Sequence, residues 1–164
     1  MERKERWWKR WFISPILKQL TQGISAEKLA WTIAAGFALG IIPILGTTTI
    51  VCFLAALYFQ LNHPVIQCVC HALWLVHLAL IIPFIRLGQW ILGAPLIASS
   101  MSSMMKAFIQ DPILFGQTYW LAAVQGLFAW FLVSIPLVLI VRAIALPILR
   151  GAEERIQNRR GEAV

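Results

Sequence analysis

From Leu29 to Ile85 the chain carries 57 consecutive residues without an Asp, Glu, Lys or Arg. About 20 apolar residues are enough to cross a bilayer, so this stretch has room for more than one crossing. A second uncharged stretch of 30 residues, Pro112 to Val141, has room for another. A soluble domain of 164 residues has too little interior to hide that much apolar surface. The overall content agrees, because only 13% of the residues are charged, against roughly 25% in soluble domains. Backbone polar groups in hydrocarbon must be satisfied within the chain, which favours helices. The expected fold is an all-α integral membrane protein. It combines a short helical hairpin, either re-entrant or made of thin spans, with two full transmembrane helices and interfacial amphipathic helices.

The net charge of +7 sits at the ends. Residues 1–28 carry seven basic and three acidic side chains, and residues 142–164 carry five and three. Between the long uncharged runs, residues 86–118 hold only Arg86 and Lys106 against Asp111. Basic segments beside apolar spans stay on the cytoplasmic side. Both termini are therefore expected in the cytoplasm, with residues 86–118 outside, in a multi-pass membrane protein. Residues 1–24 read as a basic interfacial arm. Arg3, Lys4, Arg6, Lys9 and Arg10 alternate with Trp7, Trp8 and Trp11, the pattern of a helix lying among anionic headgroups. Membrane lipids, rather than nucleic acid, are the partner that this charge implies. The start lacks the small-residue cleavage site of a secretory signal. Residues 151–164 read as a polar, frayed cytoplasmic tail.

Residues 25–150 form one expected membrane domain. Ser25 is placed as an N-cap with Glu27 in the first turn. The apolar run is then interrupted by Gly40-x-x-Pro43-x-x-Gly46, followed by Thr47, Thr48 and Thr49. The arms 29–42 and 47–61 reach only about 21–23 Å at 1.5 Å per residue, short of the ~30 Å hydrocarbon core. They form a re-entrant hairpin or two thin crossings, and both leave the termini on the same side. Asn62-His63-Pro64 signals a turn. A span over Pro64–Ile85 follows, then an amphipathic surface segment over 89–110 in which Ile97, Met101, Met104, Met105 and Phe108 share a face. A last span runs from Tyr119 to Val141, with Tyr119 and Trp120 as its interfacial belt.

The hairpin carries the candidate site: Gly40, Pro43, Gly46, Thr47, Thr48 and Asn62. Unpaired N–H groups at a helix start attract anions, and broken helices inside membranes often line binding sites. The competing reading is a plain surface turn with Thr47 as its N-cap. Gly36-x-x-x-Gly40 and Ala122-x-x-x-Gly126 offer small faces for close helix approach, expected within the chain rather than between copies. Cys52, Cys68 and Cys70 read as small apolar residues. Cys68, Cys70 and His71, with His63 and His77 nearby, have poor spacing for a metal. His71 and His77 are expected to hydrogen-bond neighbouring helices. Known catalytic motifs are absent, and no carboxylate falls within a span. No cofactor and no enzymatic activity are expected.

The runs Ser25-x-Glu27-Lys28-Leu29-Ala30, Gly40-x-x-Pro43-x-x-Gly46-Thr47-Thr48-Thr49 and Leu61-Asn62, with Ile82-Pro83-Phe84 and Leu87-Gly88, resemble a bacterial membrane family named domain of unknown function 2062. The likeness covers roughly residues 15–150 and is most specific over 25–62. The family's Asn-Pro pair in the next apolar segment is absent, since that stretch reads Cys70-His71-Ala72-Leu73-Trp74. The resemblance implies an inner-membrane protein, sometimes joined to glycosyltransferase domains, without an established activity. Two functions compete: a binding or transport module for lipid-like or amphiphilic molecules, and a non-catalytic scaffold for an envelope-synthesis enzyme such as a glycosyltransferase.

Overall fold

A computed structural model describes residues 24–44, 46–95 and 100–161. The basic arm, with Arg3, Lys4, Arg6, Trp7, Trp8, Lys9, Arg10 and Trp11, lies outside the described residues. Among those described there are six helices and no strand: α1 (Ala26–Gly40), α2 (Thr48–Tyr58), α3 (His63–Ala72), α4 (Trp74–Ile91), α5 (Met101–Gln110) and α6 (Pro112–Gly161). Two of them, over Trp74–Ile91 and Pro112–Asn158, are long and apolar enough to cross a membrane.

Local signals set most helix starts. The Ser25 side chain accepts from Lys28 N, and the Asn62 side chain accepts from Val65 N with Pro64 in the first turn. Ser100 and Ser103 form a reciprocal capping box at α5. At α6, Asp111 Oδ1 accepts from Ile113 N and Leu114 N, both at 3.0 Å. Each of these side chains satisfies N–H groups that a helix start leaves without an intrahelical partner.

α1 is the centre of the molecule and packs against α2, α3 and α6, while α4 leans on α6. Glycines permit the tight approaches. A Cβ on Gly36 would lie 2.9 Å from Val69 of α3. A Cβ on Gly88 of α4 would overlap the Gln125 carbonyl of α6, and Gly126 faces Ile85 in return. Both small-residue faces seen in the sequence therefore serve packing within the chain. At the start of α1, Arg142 Nη2 pairs with Glu27 at 2.8 Å and stacks over Trp31, while Glu153 Oε2 accepts from Ala26 N at 3.4 Å.

Three expectations change. The span foreseen over 64–85 is kinked at Leu73, where α3 ends and α4 begins. Leu73 N still bonds Val69 O and His77 N still bonds Leu73 O, so the chain bends without losing all of its ladder, at the point where Gly40 presses on Leu73. The apolar span then runs on to Ile91 and takes in Arg86. The tail foreseen as frayed is helical to Gly161, because Ala152 and Ile156 pack on the Ala26–Leu29–Val65 cluster beside the Glu153 bond. Finally, Cys52 and Cys70 are not plain apolar residues: they are joined as a disulfide across the α2–α3 interface, leaving Cys68 free.

Candidate functional site

The tip between α1 and α2 lies against α3, α4 and α6. Its first half is closed by protein. A helix end leaves carbonyls unpaired, and at the end of α1 one of these finds a partner on another helix. Trp130 Nε1 of α6 donates to Ala38 O at 2.8 Å. Cys70 Sγ of α3, held in the disulfide, packs 3.6 Å from Gly36 O without donating to it. The His77 ring of α4 faces the Gly40 carbonyl. Ile41, Ile42 and Pro43 are buried behind these contacts.

The second half is different. Gly46 turns the chain with φ +79°, and Thr47 holds the cap position of α2. Its hydroxyl does not cap the helix, however. It donates back to Ile44 O at 3.1 Å, and no side chain caps α2 among the described residues. Thr47 is therefore the N-cap by position, as the surface-turn reading had it, but without the side-chain bond.

Two cavities flank this tip. One, of about 500 Å³, is almost wholly apolar and open to the outside; it lies between Pro43 and Ile44 of the tip, Ile81 and Ile85 of α4, Met104, Met105 and Phe108 of α5, and the first turns of α6 around Phe115 and Tyr119. The other, of about 270 Å³, is lined by Gly46, Thr48, Thr49, Cys70, His71, Trp74 and His77. His77 is only 3% exposed, and its Nδ1 has no partner among the described residues. His71 Nδ1 is bound to Gln67 O at 2.7 Å within its own helix.

Of the sequence-proposed site residues, Gly40, Pro43, Gly46, Thr47 and Thr48 come together at the tip. Asn62 does not join them. It lies past the far end of α2, where it caps α3 and its N–H donates to Thr32 Oγ1 at 3.2 Å. The histidines and the α5 methionines were noted in the sequence without being assigned to the site, and nothing local marks His77 as its neighbour, because it is 37 residues from Gly40. Among the described residues, no group of three His, Cys, Asp or Glu could hold a metal.

Residues 6–157 match a model of the family described as Uncharacterized protein conserved in bacteria (DUF2062). No curated protein and no solved structure matches the chain.

Proposed function

Because the chain belongs to this bacterial family, we propose that it is a multi-pass inner-membrane protein that binds, and in some settings moves, lipid-like amphiphiles at the tip of a re-entrant hairpin. The apolar cavity at the tip carries this reading. A space of about 500 Å³ walled by Pro43, Ile81, Ile85, Met104, Met105 and Phe108 suits an acyl or prenyl chain, and methionines adapt readily to flexible apolar ligands.

The hairpin lengths support re-entry. α1 has 15 residues and α2 has 11, or about 22 and 16 Å at 1.5 Å per residue, too short to cross ~30 Å of hydrocarbon. The polar ends of α6 support the orientation. Over Pro112–Val141 it bears no charge, a length of about 45 Å that matches a bilayer with its headgroups. The basic ends then face the cytoplasm, where the arm of residues 1–24 meets anionic lipid. The protein acts without catalysis, as a holder or conductor of its ligand.

Filling the cavity tests this. Gly116 and Ala123 line it, and a Cβ on Gly116 meets nothing within 4 Å, so Gly116→Phe and Ala123→Trp should occupy the space without disturbing the core. Native mass spectrometry of the purified protein should show a retained amphiphile in the wild type and its loss in both variants. Equal retention would contradict the reading, and a stoichiometric envelope enzyme in place of lipid would favour the scaffold.

A further inference from the structure

We propose that the smaller, polar cavity takes the phosphate monoester group of an amphiphile whose tail lies in the apolar cavity beside it. This rests on the lipid-binding reading above and adds the chemistry of the head. The two ends of the broken hairpin are not equally provided for. At the end of α1 the Ala38 carbonyl is met by the Trp130 indole N–H. The start of α2, an 11-residue helix, has no side-chain cap, because the Thr47 hydroxyl is turned to Ile44 O. Its first turn opens into the cavity lined by Thr48 and Thr49. First-turn N–H groups and the helix dipole favour an anionic oxygen there.

His77 points to the same ligand independently. It lines the cavity, is 3% exposed, and keeps Nδ1 without a partner among the described residues. Nδ1 is thus left for a ligand, which meets it as an acceptor if the nitrogen carries hydrogen and as a donor if it does not. A buried ring nitrogen left unpaired in such a place is costly, and a group able both to donate and to accept relieves it in either tautomer. A phosphate monoester carries both kinds of atom: P–O⁻ oxygens for the α2 N–H groups and a P–OH for His77 Nδ1. A phosphodiester lacks that hydroxyl.

The two cavities share one face of α4. His77 lines the polar one, and Ile81 and Ile85 line the apolar one. Residues four apart lie one above the other on a helix, so head and tail sites follow each other along α4. The tip joins them, with Pro43 and Ile44 on the apolar side and Gly46 and Thr48 on the polar side.

The test compares phosphatidic acid, phosphatidylcholine and diacylglycerol of identical chains, binding to the full-length protein in a non-ionic detergent. Phosphatidic acid should bind about tenfold tighter than the other two, the effect of one charge-assisted hydrogen-bond set. His77→Leu should erase that preference while diacylglycerol binding persists. Thr48→Glu provides a second route should His77→Leu fail to fold, because a carboxylate at a helix start is favourable and would fill the site itself. Inorganic phosphate distinguishes the source. Competition against phosphatidic acid that vanishes in the variants supports a site able to take free phosphate, and a preference without competition supports a lipid headgroup alone. Equal binding of phosphatidic acid and diacylglycerol would overturn the phosphate site and leave the tail cavity standing. So would a preference that survives both substitutions. Failure of all three lipids to bind would remove the lipid-binding reading itself.

Discussion

Gly40 and Gly46 bracket the tip for different physical reasons. A Cβ on Gly40 would sit 3.3 Å from the Cys70 Cα, a backbone atom that cannot swing aside. Around Gly46 there is open space, and its φ of +79° sets the requirement instead. Gly46→Val should lower stability by about 1–2 kcal/mol through the left-handed penalty, and Gly40→Leu by about 1–3 kcal/mol through overpacking. Thermal melts in detergent read both, and wild-type midpoints for the two variants would reduce the motif to a surface turn. Both glycines were legible in the sequence, because a proline flanked by glycines in an uncharged run has few other uses. Gln89 was not. It is fully buried, with neither amide atom partnered among the described residues, although it lies in a stretch that reads as an amphipathic surface. Gln89→Met keeps the shape and removes the unpaired atoms, so it should raise stability by about 1 kcal/mol; a lowered melting midpoint would show that the amide is in use.

Helix starts are local events, and Ser25 caps α1 where its residue type suggests, while Asn62, read as part of a turn, caps α3, and Asp111 caps a helix that begins seven residues before the span foreseen from Tyr119. How helices are held together in space is not local. Nothing near Trp130 in the sequence marks its partner, yet its indole N–H closes the Ala38 carbonyl 92 residues away. The kink at Leu73 has no proline or glycine of its own and coincides with the approach of Gly40 from another helix. The tail looked frayed because its composition is polar, while Glu153 and Ile156 anchor it on α1. Trp130→Phe should therefore cost about 1–2 kcal/mol, because it strands a carbonyl at a buried helix end. Equilibrium unfolding of the variant would show it, and unchanged stability would mean that Ala38 O finds another donor. Arg142→Ala should cost less, since an exposed pair with Glu27 is worth about 0–1 kcal/mol, with the lost stacking on Trp31 added.

At the scale of the whole molecule, charge and length combine. The cluster of Glu27, Arg142 and Glu153 lies at one end of α6, while α5 and the apolar cavity lie at the other. Between Phe115 and Arg142 the helix rises about 40 Å, so a bilayer fits between the two ends. The short hairpin enters from the Glu27 end, and its tip lies between them, against Phe84 and Ala129. On the proposed function, a tip at that depth would reach an amphiphile from inside the membrane, with its first half covered by protein and the start of α2 left for the ligand. That arrangement requires both ends of the hairpin on the cytoplasmic side and α5 on the other. Thiol labelling with a membrane-impermeant reagent measures it directly, with the three native cysteines replaced by alanine and one new cysteine placed at the exposed Gln60, after α2, or at the exposed Ser102 of α5. Ser102→Cys should label in intact cells, and Gln60→Cys only after permeabilisation. Labelling of Gln60→Cys in intact cells, or of Ser102→Cys only after permeabilisation, would contradict a cytoplasm-based hairpin and the ligand site built at its tip.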